Sequence, residues 1–148
     1  MILFLTSLSI SFTQVPSWSG PGLSPFRVQA VFTITTTGVT DPAPQAVYRT
    51  ERYGNSTYTL PNLTGGASYK VRLHFAEIYQ TAIGSRVFNV AINGTTVLPN
   101  YDIYAETGAR YKAVVKEFTA TANASGQIVI QFTTITDNAK ISGIEIIR

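Results

Sequence analysis

The sequence predicts an all-β protein, a single-domain antiparallel β-sandwich, and three observations carry that expectation. Charged residues make up only 13% of the 148-residue chain, while twenty Thr, eight Tyr and eight Phe suit half-buried pleated surfaces. Apolar residues recur at period two through short runs, and no segment shows a convincing helical period. Turn residues interrupt those runs about every 8–12 positions, the spacing of a sandwich. The length is about one domain's worth and can bury a core without disulfides or metals.

Taken in order, residues 1–12 form an apolar stretch of signal-peptide length, with no Lys or Arg before it and no clear cleavage site after it. It is too short to cross a bilayer, which needs about 20 apolar residues, and no later stretch is longer, so no membrane span is expected. Residues 16–25 are rich in Pro, Gly and Ser and read as a linker. The chain therefore divides into a leader and linker over residues 1–26 and a folded domain over residues 27–148. Residues 29–37 are expected as its first strand. After the Asp41-Pro42-Ala43-Pro44 loop come residues 48–54, then a short alternating strand at residues 57–60, stopped by Pro61-Asn62.

Residues 68–78 are the clearest strand: Tyr69, Val71, Leu73 and Phe75 share one face, and Lys70, Arg72 and His74 share the other. One face should be core and the other wet. Residues 86–92 set Val87, Asn89 and Ala91 against Phe88, Val90 and Ile92, and Asn93-Gly94 supplies a type I′ hairpin turn into residues 95–98. Residues 112–122, 127–135 and 140–147 are three more β-branched runs, divided by Ala124-Ser125-Gly126 and Asp137-Asn138-Ala139.

Composition also limits the chemistry. The net charge of +3 is spread over isolated Lys and Arg, so no phosphate-tracking surface is visible and nucleic acid is not an expected partner. The chain has no Cys, which excludes disulfides, thiolate metal sites and Cys nucleophiles. One His and scattered acids form no ligand-spacing pattern, so neither metal nor cofactor is expected. His74 has no nucleophile-elbow motif near it, and Glu51 and Glu77 could act as a hydrolytic pair only if folding brought them together.

The expected loops instead contain Tyr53, Tyr79, Tyr101, Tyr104 and Asp137, all at strand ends where side chains are not committed to the core. A sugar presents apolar C–H faces and a ring of hydroxyls, so flat aromatic platforms beside a carboxylate make lectin-like chemistry. Asn55, Asn62, Asn93 and Asn123 each begin an Asn-x-Ser/Thr acceptor, which would matter in a eukaryotic secretory pathway and arises readily by chance in a Thr-rich chain.

The runs Tyr48-Arg49-Thr50-Glu51-Arg52-Tyr53-Gly54 and Val71-Arg72-Leu73-His74-Phe75-Ala76-Glu77-Ile78-Tyr79 resemble the malectin family. Further likeness lies in Arg86-Val87-Phe88-Asn89-Val90, Asn93-Gly94, Tyr101-Asp102-Ile103 and the stretch from Asp137 to Ile146, so the resemblance covers roughly residues 38–148. It implies a jelly-roll-like, galactose-binding-like sandwich that binds carbohydrate without catalysis. In animals such a module is an endoplasmic-reticulum lectin for glucosylated N-glycans, and in secreted bacterial enzymes an accessory module.

Carried over by motif, the sugar-binding residues are Tyr53, Tyr79 and Asp137, on neighbouring loops. Glu51, Arg52, Glu77, Gln80, Asn138 and Lys140 accompany them, and Glu51, Arg52, Glu77 and Lys140 are expected to orient the loops through ion pairs and hydrogen bonds rather than touch sugar. Three departures stand out, one being that a further tyrosine of the animal lectin, upstream of Glu51, has no clear match here. The aromatic that follows Tyr79 in the animal lectin is Gln80 here. The family's opening Asn-Ala-Gly-Gly strand is replaced by the apolar leader, which suggests a bacterial-type member with an atypical or truncated N-terminus.

The implied partner is a neutral oligosaccharide or glycan, with an appended or neighbouring enzyme domain as a second. The implied location is secreted or extracellular, or the endoplasmic-reticulum lumen in a eukaryote. The alternative function is a structural or protein-interaction sandwich whose sugar site has decayed.

Overall fold

The computed structural model describes residues 32–148, together with the backbones of two strands nearer the N-terminus, β1 (Ser7–Ile10) and β2 (Phe26–Val28). The linker expected at residues 16–25 and most of the apolar stretch 1–12 lie outside the described residues. The remaining elements are α1 (Gln45–Tyr48), β3 (Thr50–Tyr53), β4 (Ser56–Leu60), β5 (Ser68–Ala76), β6 (Val87–Ile92), β7 (Thr95–Tyr101), α2 (Ile103–Thr107), β8 (Ala113–Thr121), β9 (Ile128–Thr136), β10 (Lys140–Ile141) and β11 (Gly143–Ile147).

Two four-stranded antiparallel sheets, β1-β11-β5-β8 and β4-β9-β6-β7, share one core, and a three-stranded sheet β10-β3-β2 lies where β9 passes into β10. The alternation read from the sequence is what joins them. Val71, Leu73 and Phe75 of β5 and Ile144 and Ile146 of β11 meet Phe88, Val90 and Ile92 of β6 and Ile128, Ile130 and Phe132 of β9, all buried. The all-β sandwich is thus observed. The β6–β7 turn has φ of 50° at Asn93 and 80° at Gly94, positive at both positions as a type I′ turn requires.

Three expectations about elements need correction. Residues 32–37 of the run 29–37 form no strand beyond a single parallel bridge from Thr35 to Lys112, and residues 29–31 lie outside the described set. Two helices are present where none was expected. Each is about one turn long, too short to print a 3.6-residue period, and each is made by its ends: α1 follows Pro44, and α2 is capped by Asp102, whose carboxylate accepts from the Ala105 amide, and closed by Gly108 at φ 69°.

The second face of β5 is wet only at Lys70, whose side chain is 54% exposed. Arg72 and His74 are 4% and 3% exposed, because residues 32–49 form a strap across it. Arg72 donates to the carbonyls of Thr40 and Asp41 in the strap and pairs with Glu117 and Glu145 on the flanking strands, each at 2.7 Å. His74 meets the Tyr48 hydroxyl at 3.0 Å. Gly143 lets α1 seat there, since a Cβ at that position would come within 2.7 Å of Val47 Cγ1. Beneath the strap, Ile34, Tyr48, Ala76, Ile78 and Ala113 make a second, smaller core.

Candidate functional site

The end of the sandwich marked by the C-termini of β3, β5 and β9 gathers most of the residues singled out in the sequence. Tyr53 is the last residue of β3 and lies opposite Lys140 of β10. Tyr79 follows β5 by three residues and is 55% exposed, as a stacking platform must be. Asp137 sits in the β9–β10 turn with φ of 50°, a left-handed conformation that Asp tolerates better than most residues.

A chain of alternating charges braces this end. The Glu51 carboxylate lies 2.5 Å from the Lys140 ammonium, both fully buried, a contact held by charge rather than by an aligned hydrogen bond. Lys140 also donates to the Ala76 carbonyl at the end of β5. Glu77, with no exposed side-chain surface, accepts the Tyr79 and Gln80 amides on Oε1 at 2.9 and 3.0 Å, and Arg86 Nε on Oε2 at 2.7 Å. Arg86 reaches on to the Asn138 carbonyl and, at 3.3 Å, to Asp137 Oδ2. The Gln80 amide donates to the same Asp137 oxygen at 2.8 Å, and the Asn138 amide to Oδ1 at 3.3 Å.

These contacts fix protonation as well as position. Burial alone would raise the Glu77 pKa, but the charges of Lys140 and Arg86 and its hydrogen bonds outweigh it and hold the carboxyl below its usual value. Asp137 is likewise lowered: its partial burial is outweighed by the bonds from Gln80 and Asn138 and the charge of Arg86. The result is an ionised acceptor, aimed and partly exposed.

The structure therefore brings Tyr53, Tyr79, Gln80, Asp137 and Asn138 to one end, with Glu51, Glu77 and Lys140 buried behind them. Arg52 is not among them. It alternates to the other face of β3, where its charge acts on Tyr58, whose pKa burial pushes up to about 12. Tyr101 is a correction: it is buried, with its ring 5.2 Å from Phe75 and 5.5 Å from Phe88, a core residue rather than a free loop side chain. Tyr104 is half-buried on α2.

Sequence reasoning missed Arg86, the residue that ties the β5–β6 connection to the β9–β10 turn. The signal was present, since Arg86 falls in step with Phe88, Val90 and Ile92 and so had to point inward. It also missed Arg110, which lies over the Tyr111 ring at 4.5 Å and reaches the Tyr79 carbonyl at 3.5 Å. Among the described residues no group of three or more His, Cys, Asp or Glu could hold a metal ion. A separate cavity of about 480 Å³ lies on the flank of β8 between Val39 and Glu106, and none of its lining residues belongs to this cluster.

Comparison with known proteins places the chain. It is 37% identical to Receptor-like protein 4 of Arabidopsis thaliana over 103 residues, 68% of this chain and 16% of that protein. It is 30% identical to Malectin-B of Xenopus laevis over 104 residues, 69% of this chain and 37% of that protein. The chain thus matches well under half the length of these relatives. Among solved structures, the ANXUR1 extracellular domain of Arabidopsis thaliana superposes with a TM-score of 0.75 at 24% identity, over 86% of this chain and 39% of that one. A chain of the plant peptide RALF23 complex with FER and LLG2 superposes with a TM-score of 0.74 at 25% identity, over 86% and 39%. The malectin domain model matches residues 19–144, further toward the N-terminus than the motifs alone reach, and the chain belongs to the malectin domain family.

Proposed function

We propose that the chain is a non-catalytic, lectin-like module that takes a neutral oligosaccharide at the end formed by Tyr53, Tyr79 and Asp137. The observation that carries this reading is the Asp137 carboxylate, kept ionised and directed by Gln80, Asn138 and Arg86 on the loops that also present Tyr79. Tyr79 and Tyr53, at the same end of the sandwich, offer rings to the C–H faces of pyranoses, and Asp137 accepts hydrogen bonds from adjacent hydroxyls. Burial of the C–H face offsets the desolvation of the hydroxyls. Glu51, Glu77, Lys140 and Arg86 act as positioning residues, and a shallow site of this kind gives modest affinity.

Electrostatics favour a neutral ligand. Glu51, Glu77 and Asp137 carry three negative charges against two positive ones on Lys140 and Arg86, and the nearby Arg110 balances the remainder. A hydrolytic role for Glu51 and Glu77 is disfavoured, because both carboxylates are buried in ion pairs and Glu77 has its pKa lowered, the opposite of a general acid. An extracellular or endoplasmic-reticulum-lumen location fits a family whose solved relatives include an extracellular domain, and the small share of each relative that is matched fits an accessory unit of a longer protein.

One observation favours the alternative, a protein-interaction sandwich with a decayed sugar site. Gln80 stands where the animal lectin has an aromatic, and its amide occupies an Asp137 oxygen that a sugar would otherwise use. A solved relative occurs in a peptide–receptor complex.

A glycan array separates the two. The wild-type chain and a Tyr53→Ala, Tyr79→Ala double variant, both shown folded by circular dichroism, are screened side by side. Binding by the wild type alone supports the lectin reading and identifies the sugar. Silence from both folded proteins overturns it in favour of the interaction domain.

A further inference from the structure

The four Asn-x-Ser/Thr acceptors are not scattered over the fold. β4 ends at Leu60, opposite Ile128 at the start of β9, and β5 starts at Ser68, opposite Thr121 at the end of β8. The β6–β7 turn joins the same end, with the Asn93 amide bonded to the Val129 carbonyl. Asn62, Asn93 and Asn123 therefore share the pole opposite the candidate sugar site, where the Leu63 amide also bonds to the Gly126 carbonyl. Asn55 alone lies at the sugar pole, beside Gly54 and bonded to the Thr134 amide.

The four side chains differ in what they already do. Asn93 uses both ends of its amide, donating to the Thr121 carbonyl at 2.8 Å and accepting from the Val129 amide at 2.9 Å. Asn123 accepts from Ser125 and Gln127, and Asn55 from Thr134, so each is fixed through its oxygen. Among the described residues the Asn62 side chain makes no hydrogen bond. It stands exposed in a turn at φ 64°, between the exposed Pro61 and the half-buried Leu63. A bulky hydrophilic group on Asn62 would displace nothing in the fold and would project away from Tyr79 and Asp137.

We infer that Asn62 is, of the four acceptors, the one open to N-glycan transfer when the chain passes through a eukaryotic secretory lumen, at the pole opposite the sugar site. The inference rests on the endoplasmic-reticulum-lumen branch of the location proposed above and is independent of what the sugar site binds. In the transfer, Asn62 Nδ2 forms a bond to the anomeric carbon of a polyprenyl-diphosphate-linked oligosaccharide. The anomeric C–O bond to the diphosphate breaks, the diphosphate leaves with the bonding pair, and the amide nitrogen gives up one proton. The amide keeps its carbonyl oxygen and one N–H.

The test is translation of the full 148-residue chain, behind a cleavable secretion signal, into microsomes, followed by protease treatment to select lumenal protein. Peptide-N-glycosidase release in ¹⁸O water then marks each occupied Asn by mass spectrometry. Asn62 is expected to carry the mark. Asn62→Gln and Thr64→Ala should each remove one glycan-sized step on a gel, whereas Thr64→Ser should keep it. A lumenal, protease-protected chain whose Asn62 peptide is unmarked overturns the inference, as does a step that survives Thr64→Ala. Glycan-array binding is read on separate, unglycosylated protein, so failure there leaves this result intact.

Discussion

Arg86→Gln is the substitution that probes the site most sharply. Its guanidinium faces a Glu77 carboxylate with no exposed side-chain surface, and it also holds Asp137 and the Asn138 carbonyl. An exposed ion pair would contribute about 0–1 kcal/mol. Here the removal of one partner strands a buried charge, which costs about 3–5 kcal/mol. For a domain of this size about 1 kcal/mol moves the melting temperature by roughly 2–4 °C, so a fall of about 6–20 °C is expected by calorimetry.

Adding Glu77→Gln to that variant removes the stranded charge while its amide oxygen can still accept from Tyr79 and Gln80. The double variant should therefore be more stable than Arg86→Gln alone. Asp137, having lost a cation, should titrate at higher pH in a ¹³C-carboxyl NMR experiment on Arg86→Gln. A melting shift of less than about 3 °C, or strict additivity of the two substitutions, would refute the claim that a buried charge chain braces this end.

Other consequences follow from the same geometry. His74 has a depressed pKa, first through burial and then through the Arg72 charge, with Glu145 and Glu117 opposing; Tyr48 faces its other nitrogen. A depressed His contributes stability that is full above its unfolded value of 6.5 and is lost as pH falls through the folded pKa. Chemical denaturation between pH 7 and 5 should show this loss, at most about 1.4 kcal/mol per pH unit, and His74→Gln should flatten it. Asp137 is also depressed, so if it binds sugar, affinity measured by calorimetry should stay level down to its unfolded value of 3.8 and fall only at lower pH. Gly126→Ala should cost about 2–4 kcal/mol in urea titration, because φ is 70° and the added Cβ would lie 2.2 Å from the Leu63 carbonyl oxygen. Asp102→Ala removes the α2 cap and the 2.6 Å bond to the Gly84 amide; about 1 kcal/mol of stability and the exchange protection of Gly84 should go together.

What the sequence made legible, and what it hid, divides along one physical line. Period-two alternation registers a strand that has one buried face, so β5, β6 and β9 were readable, as was the Asn93-Gly94 turn whose two positive φ angles few other residue pairs allow. The strap was not readable. Its anchors are backbone carbonyls bonded to Arg72 from more than thirty positions away, and nothing local in residues 32–49 announces them. Because the strap was unseen, Arg72 and His74 looked solvated when they are buried. Tyr79 and Tyr101 looked alike for a related reason: both are expected at strand ends, and the packing of Phe75 and Phe88 around the second tells them apart.

The charges at the candidate site sit between these cases. Arg86 keeps the inward phase of β6, where an unpaired cation would be prohibitively costly, so its position alone demanded a buried partner. The acid that answers it is the first residue beyond β5, and the third member, Asp137, is the first residue beyond β9. A charge in core phase at a strand end is therefore a sequence-level sign of a braced loop cluster, even where the loops themselves carry no pattern. That rule would have found Arg86 and Glu77 as a pair before any coordinates. It would have passed over Arg110, which is exposed and lies against the Tyr111 ring and the Tyr79 carbonyl.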